Sequence, residues 1–378
     1  MIRNPVLRIA IVGMYPSHAN QIFEGIMRVT ASLADALAIL PETEVTVLTP
    51  HRMRHFLKKT TVQKKDHLII KRMNYLTYIF HLLKNNLYDV VNIHGVSLFT
   101  ALALIYQIRN RQNRNTVYTS HGLVAMEKQM GYRYSPSMVL FEKLLIYFSH
   151  SITTISSRTG QYILQNYNIQ QKKITVIGNG VNPDLFKPAG RVKKKENSGQ
   201  ILFVGSLLPV KGLDFLFSVL YDIQDPFIMH LVGKSTPYFE SLKTKYQALF
   251  HQKKIRFHGA KFQNELMKMY AFCDFLVLTS YYDQFPQVVL EAMAMGKPVL
   301  LSDRIGSSDI IQQGKNGYII PYGDQNALKE KISDLLRHPL KCRKMGQFSR
   351  RVAEKNTWHN IAVQYRQFFP SLHRIKNS

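Results

Sequence analysis

Two short stretches hold residue types able to handle a phosphorylated ligand. In the first, an apolar run at 201–204 leads into Gly205-Ser206-Leu207-Leu208-Pro209-Val210-Lys211-Gly212 and then a helical pattern. A glycine at a strand end lets the backbone approach a ligand, the helix behind it offers amide N–H groups and a positive dipole end, and Lys211 adds a full charge. A solvated turn is the bland alternative. In the second stretch, a strand at 275–279 precedes Asp283, Pro286 and Glu291. Pro286 suits a first helical turn, and Gly296 followed by Pro298 stops the helix. The spacing then predicts Asp283 at or just before the N-cap, at the mouth of a cleft, and Glu291 about two turns in. The bland reading is a cap and a solvated helix residue. However, Glu291 sits among Val288, Val289, Leu290, Ala292, Met293, Ala294 and Met295, and a carboxylate in that company needs a partner. Paired ribose hydroxyls would serve.

The elements that must position these residues alternate along the chain. Strands are predicted at 7–12, 44–49, 90–94, 116–119, 151–155 and 174–177, nearly continuous in apolar character as in sheets covered on both faces. Ile22, Ile26, Val29, Leu33 and Leu37 mark one helix face. Residues 187–199 (KPAGRVKKKENSG) read as a linker. Beyond it, strands at 201–204, 227–232, 255–257, 275–279, 298–301 and 318–320 alternate with helices at 213–221, 238–250, 265–272 and 327–336. The expected fold is α/β: two doubly wound parallel-sheet domains facing across a cleft, with ligands beyond the carboxyl ends of the strands.

Length and composition agree. The chain has 378 residues, 46% hydrophobic and 11% aromatic, which excludes a disordered or fibrous chain. Lys plus Arg total 50 against 24 Asp plus Glu, a net +26 shared evenly on either side of Gly190. Such a surface attracts phosphate, nucleic acid or an anionic membrane; no nucleic-acid motif accompanies it. A basic cluster (Arg52, Arg54, Lys58, Lys59, Lys64, Lys65, Lys71, Arg72) is read as a solvated loop and helix face or as attraction to anionic lipid, and Arg109, Arg111 and Arg114 form a smaller one. Two cysteines, Cys273 and Cys342, build no disulfide framework, so a reducing cytosol is expected. The longest apolar run, 96–108, is shorter than the roughly 17–25 residues of a membrane span, and residues 1–12 lack a signal-peptide cleavage pattern. The expectation is a cytoplasmic protein, either free or peripheral on the inner face of the cytoplasmic membrane. His18, His94 and His121 are too scattered for a metal site, and no Asp-x-Asp occurs.

Taken together, the motifs GSLLPVKG (205–212), DQFPQVVLEAMAMGKPV (283–299), GKNGYIIPYGD (314–324), KITVIGNGVNPDLFKP (173–188) and TSHG (119–122) resemble the retaining glycosyltransferases of family four, which have the GT-B fold. The resemblance implies an N-terminal acceptor domain at 1–188, a linker at 189–199 and a nucleotide-sugar domain at 200–356, with a C-terminal helix at about 357–378 packing back on the first. It implies metal-independent transfer, without a cofactor, from a nucleotide-diphosphate sugar to a glycan or lipid-linked acceptor, in envelope or surface polysaccharide synthesis. Lys211 would neutralise the donor diphosphate, Glu291 would hold the ribose, and Asp283 with the amides after it would grip the transferred sugar. His121 would lie near that sugar, and Gly25 would let backbone meet phosphate. The loop 259–263, with Phe262, would border the base, and Asn179-Gly180 would line the cleft. Gly205, Ser206, Gln284, Phe285 and Gln287 complete the donor-binding set.

Three departures accompany the resemblance. Asp283 stands where the family has Glu, Ser206 where it commonly has Arg (Arg158 or Arg304 being the compensating candidates), and Glu24-Gly25 where a glycine pair is usual. The apolar segments 75–83 and 138–148 are packed helices or, in the functional reading, a membrane-docking surface. Two rival functions are a nucleotide-sugar epimerase on the same fold and a non-enzymatic polyanion binder.

Overall fold

The computed structural model describes residues 6–16, 25–51, 60–83, 87–104, 115–188 and 198–371. The chain divides into two compact units: Met1–Asn179 together with Trp358–Ser378, and Gly180–Thr357.

The first unit is built on an eight-stranded sheet. Its strands are β1 (Leu7–Val12), β2 (Thr43–Pro50), β3 (Thr61–Lys65), β4 (Leu68–Met73), β5 (Val90–His94), β6 (Thr116–Ser120), β7 (Ser151–Thr154) and β8 (Ile174–Val176). Their spatial order is β3-β4-β2-β1-β5-β6-β7-β8, and β3 alone runs antiparallel. The central strands β5, β6 and β7 are buried along their whole length, as continuous apolar or β-branched runs covered on both faces should be. The connecting helices are α1 (Gly25–Ala38), α2 (Tyr75–Leu83), α3 (Leu98–Leu102), α4 (Val124–Gln129), α5 (Pro136–Phe148) and α6 (Ser157–Asn166). In α1 the stripe Val29, Leu33 and Leu37 is buried, whereas Ile26 is exposed.

The hairpin β3–β4 corrects the reading of the basic cluster as loop and helix. Lys64 and Lys65 lie on an edge strand exposed at every position, and Leu68 and Ile70 turn inward from β4. The charges masked a strand alternation, and charged edge residues are one way sheets avoid pairing with other chains. The remaining basic residues of that cluster below position 60, the cluster at 109–114, and His18 and Glu24 lie outside the described residues.

The second unit carries a six-stranded, fully parallel sheet: β9 (Gly199–Val204), β10 (Phe227–Val232), β11 (Ile255–Phe257), β12 (Phe275–Leu278), β13 (Val299–Ser302) and β14 (Gly317–Ile320). Their order is β11-β10-β9-β12-β13-β14. The order reverses between β9 and β12, and loops leaving the carboxyl ends of those two strands flank the crevice where such sheets take ligands. Its helices are α7 (Leu213–Tyr221), α8 (Pro237–Lys245), α9 (Gln247–His251), α10 (Gln263–Phe272), α11 (Gln287–Ala294), α12 (Gln325–Arg337) and α13 (Pro339–Lys355). The single helix expected over 238–250 is broken at Tyr246, which donates its hydroxyl to Asp214 at 2.7 Å.

The final helix, α14 (Trp358–Ser371), belongs to the first unit: Ile361, Ala362, Tyr365 and Phe369 are buried in one cluster with Ile9, Leu33, Leu37 and Val47. The domain boundary differs from the sequence expectation. Residues 180–188 pack with the second unit, because Val181 donates to the Asn356 carbonyl and Arg350 donates to the carbonyls of Pro183 and Phe186. Gly199, expected in the linker, already pairs in β9; residues 189–197 are outside the description. Among the described residues, no helix is long and apolar enough to cross a membrane.

Candidate functional site

The turn after β9 is a 3-10 turn, Pro209–Lys211, ended by Gly212 in the left-handed region at φ 67°. A methyl added at Gly212 would lie 2.0 Å from the Thr279 carbonyl oxygen, so glycine is required by conformation and by contact alike. Thr279 in turn donates its hydroxyl to the Gly212 carbonyl at 3.0 Å, and the Tyr281 amide donates to the Val210 carbonyl at 2.7 Å. These bonds tie the loop after β9 to the loop after β12.

The tie brings Lys211 and Asp283 together across 72 positions. Lys211 Nζ donates to Asp283 Oδ2 at 2.5 Å, both side chains being about one-fifth exposed. Asp283 is not a helix cap. Helix α11 begins at Gln287 with Pro286 at the N-cap and no side-chain cap bond, while Asp283 bridges to Ile305 and its carbonyl accepts from the Gly306 amide. The first amides of α11 have no acceptor within the helix, as at any helix start. Pro286 removes one donor there.

Glu291 is the fifth residue of α11 rather than two turns in, and it is 1% exposed. Its Oε2 accepts from the fully buried Tyr270 hydroxyl at 2.9 Å. Tyr270 was not singled out in the sequence, where an aromatic in a helix of mixed polarity gives no signal. Gln284 is buried and donates its amide to the Tyr282 hydroxyl. Phe285 is buried, Gln287 is half-buried with its amide nitrogen covered, and Ser206 is exposed. Phe262 stands at the start of α10 and is largely exposed. Arg304 stacks 6.0 Å from the centroid of Tyr281, whereas Arg158 belongs to the first unit.

Glycines end three adjacent strands. Gly205 follows β9, Gly233 follows β10 and Gly259 lies just past β11. Their backbones continue the sheet: Gly205 donates to Val232, and Gly233 donates to the Gly259 carbonyl, both at 3.0 Å. A methyl on Gly233 would meet the Gly205 carbonyl at 2.1 Å, while one on Gly259 would meet nothing within 4 Å. The result is a ledge without side chains, beginning beside the Lys211 turn. A separate hollow of about 530 Å³ along α12 and α13, lined by residues such as Lys329, Asp334 and Arg337, contains none of these residues.

In the first unit, Gly25 opens α1, and a methyl there would meet nothing within 4 Å. His121 follows β6, and its Nε2 is 2.8 Å from Nδ1 of His94 at the end of β5. Both rings are buried. Burial lowers the His121 pKa from 6.5 to about 4, and burial with the His121 charge holds His94 well below the usual range. Below pH 6.5 the unfolded chain therefore binds protons that the native pair refuses, so stability falls as pH falls from about 6.5 toward 4. We expect His121 alone to remove about 1.5 kcal/mol between pH 6.5 and 5. Calorimetry should show Tm dropping over that interval, with a shallower drop for His121→Gln. Among the described residues, no group of three or more His, Cys, Asp or Glu side chains converges on a metal site. Both cysteines are buried thiols outside any disulfide, donating to the carbonyls of Tyr270 and Asp274.

A parallel sheet whose switch-point loops bear a lysine, a carboxylate, helix-start amides and strand-end glycines has the chemistry to receive an anionic ligand. Sequence comparison makes the class specific. Residues 188–352 match the family described as Glycosyl transferases group 1, and residues 23–185 match Glycosyltransferase Family 4. The chain belongs to these GT-B glycosyltransferases.

Among its relatives, an uncharacterized glycosyltransferase of Methanocaldococcus jannaschii is 30% identical over 231 residues, 60% of this chain and 63% of that protein. The match thus spans a little under two thirds of that relative. The Escherichia coli UDP-Gal:alpha-D-GlcNAc-diphosphoundecaprenol alpha-1,3-galactosyltransferase is 27% identical over 272 residues, 68% of each chain. An Anabaena protein solved with UDP and glucose superposes with a TM-score of 0.71 at 17% identity, covering 97% of this chain and 100% of that one, and so shares the fold.

Proposed function

We propose that this protein transfers a sugar, with retention of anomeric configuration, from a nucleotide-diphosphate sugar to a lipid-linked glycan acceptor in envelope or surface polysaccharide synthesis. The observation that carries the reading is the Lys211–Asp283 pair on the two loops that flank the switch point, beside the glycine ledge. The leaving nucleoside diphosphate develops the largest negative charge in the reaction. Fixed positive groups aimed at it dominate catalysis in such a site. Lys211 and the first amides of α11 take that role, without a metal. Asp283 receives a hydroxyl of the transferred sugar, and Glu291 with Tyr270 backs the ribose.

The acceptor side of the reading rests on the first unit. In α2, Leu76, Phe80 and Leu83 share one face at helical spacing, and Leu76 and Phe80 are 64% and 68% exposed. Leu140 and Phe148 of α5 are also exposed. Apolar faces of this kind, in a unit that also carries lysines on an exposed edge strand, suit the interface of an anionic bilayer, on the cytoplasmic side where nucleotide sugars are made. The Escherichia coli relative, by its name, uses a diphosphoundecaprenol-linked acceptor.

One assay tests the whole reading. A panel of nucleotide sugars is incubated with lipid extract in anionic vesicles, with chelator present, while nucleoside diphosphate release and product anomer are followed. Release that depends on the lipid and survives the chelator is expected. Phe80→Glu should lower transfer to vesicle-borne acceptor and leave slow donor hydrolysis intact. Epimerised donor without diphosphate release would overturn the proposal.

A further inference from the structure

A chain of hydrogen bonds crosses three strands of the second unit and ends at the ledge. Gln200 on β9 donates its amide nitrogen to the Ser198 carbonyl at 2.8 Å, and that oxygen can only accept. The amide orientation of Gln200 is thereby fixed, leaving its Oε1 to accept from Nε2 of His230 on β10 at 2.7 Å. His230 is 4% exposed, and a buried imidazole keeps a single proton unless its charge is paired. With that proton on Nε2, its Nδ1 is an acceptor. It takes a hydrogen from Nε2 of His258, 2.9 Å away. The two rings stack at 23°, with Phe272 edge-on against His230.

Each bond in this series fixes the next, so the proton of His258 is committed to Nε2. Its Nδ1 is left as an acceptor on a half-buried ring. Burial and the charges of Lys261 and Arg256 all disfavour protonating that ring, which would turn the acceptor into a donor. His258 directly follows β11 and precedes Gly259, at the far end of the glycine ledge. Two strand spacings separate the tips of β9 and β11, about 10 Å. That is the span from a diphosphate, through a ribose, to the edge of a base.

We infer that His258 reads the nucleobase of the donor: its fixed Nδ1 acceptor selects a base presenting a ring N–H, as uracil and guanine do, over adenine and cytosine, whose corresponding ring nitrogens are acceptors. The inference rests on the donor reading above and adds the base class. Gln200 and His230 act through His258 and are positioning residues. Discrimination of this kind costs the wrong ligand an unpaired polar contact.

The test is titration calorimetry with UDP, GDP, CDP and ADP on the full chain. We expect UDP and GDP to bind at least about tenfold tighter than CDP and ADP. His258→Phe removes the acceptor and should collapse that ratio below about threefold. His258→Gln, able to donate its amide to His230 and show a carbonyl outward, should keep the ranking, which a purely structural role does not require. Equal binding of all four by the wild type, or an unchanged ranking in His258→Phe, overturns the inference and leaves the donor reading standing. Failure of all four to bind overturns both.

Discussion

Lys211→Ala should slow nucleoside diphosphate release by about 10²–10³-fold while the protein melts close to wild type. The rate effect is large because the lysine is a fixed positive group on a loop that its neighbours hold rigidly, through Thr279, Val210 and Tyr281. A preorganised donor of this sort stabilises charge that appears only in the transition state. The stability effect is much smaller than the rate effect because the backbone bonds that hold the two loops together, through Thr279, Val210 and Tyr281, do not involve the lysine side chain. Lys211→Arg, which keeps the charge, should recover part of the rate. Steady-state release assays and thermal melts on the same preparations decide the matter. A variant with near-normal turnover removes Lys211 from the chemistry.

The second large effect belongs to its neighbour. Gly212→Ala should destabilise the second unit by about 3 kcal/mol or more, combining left-handed backbone strain with a clash that must displace the β12 loop. The Cβ would sit 2.0 Å from a backbone oxygen, not from a side chain that can swing away. Urea unfolding monitored by circular dichroism measures the loss. Gly205→Ala is the control: its methyl would meet only the Phe203 ring at 3.6 Å. It should fold normally yet weaken donor binding, since it places a methyl at the start of the ledge. Equal stability of the two variants would show that Gly212 carries no special constraint.

Much of this was legible in the residues. The apolar runs at 90–94, 227–232 and 255–257 coincide with β5, β10 and β11, because strands buried on both faces leave an uninterrupted apolar signature. The Gly-Lys turn and the Asp283 loop were legible as connections leaving the ends of apolar strands for the same local reason. Pairing was not. That Lys211 meets Asp283, that Tyr270 covers Glu291, and that Gln200, His230 and His258 form one series depend on strand order, which no local pattern encodes. A trace existed for the last: Gln200 and His230 are single polar residues inside otherwise apolar strands, GQILFV and FIMHLV, and a buried polar residue there must find a partner. The β3–β4 hairpin escaped because its inward alternation covers only a few residues within a run of lysines and arginines.

The return of α14 to the first unit has a consequence for synthesis. The chain leaves that unit at Asn179 and re-enters it at Trp358, so the cluster around Leu33 and Leu37 lacks Tyr365 and Phe369 until α14 has left the ribosome. The second unit, continuous in sequence, has all its parts by then. Vectorial folding thus completes the second unit before the first, and the nascent first unit must keep an apolar groove shielded for nearly two hundred codons.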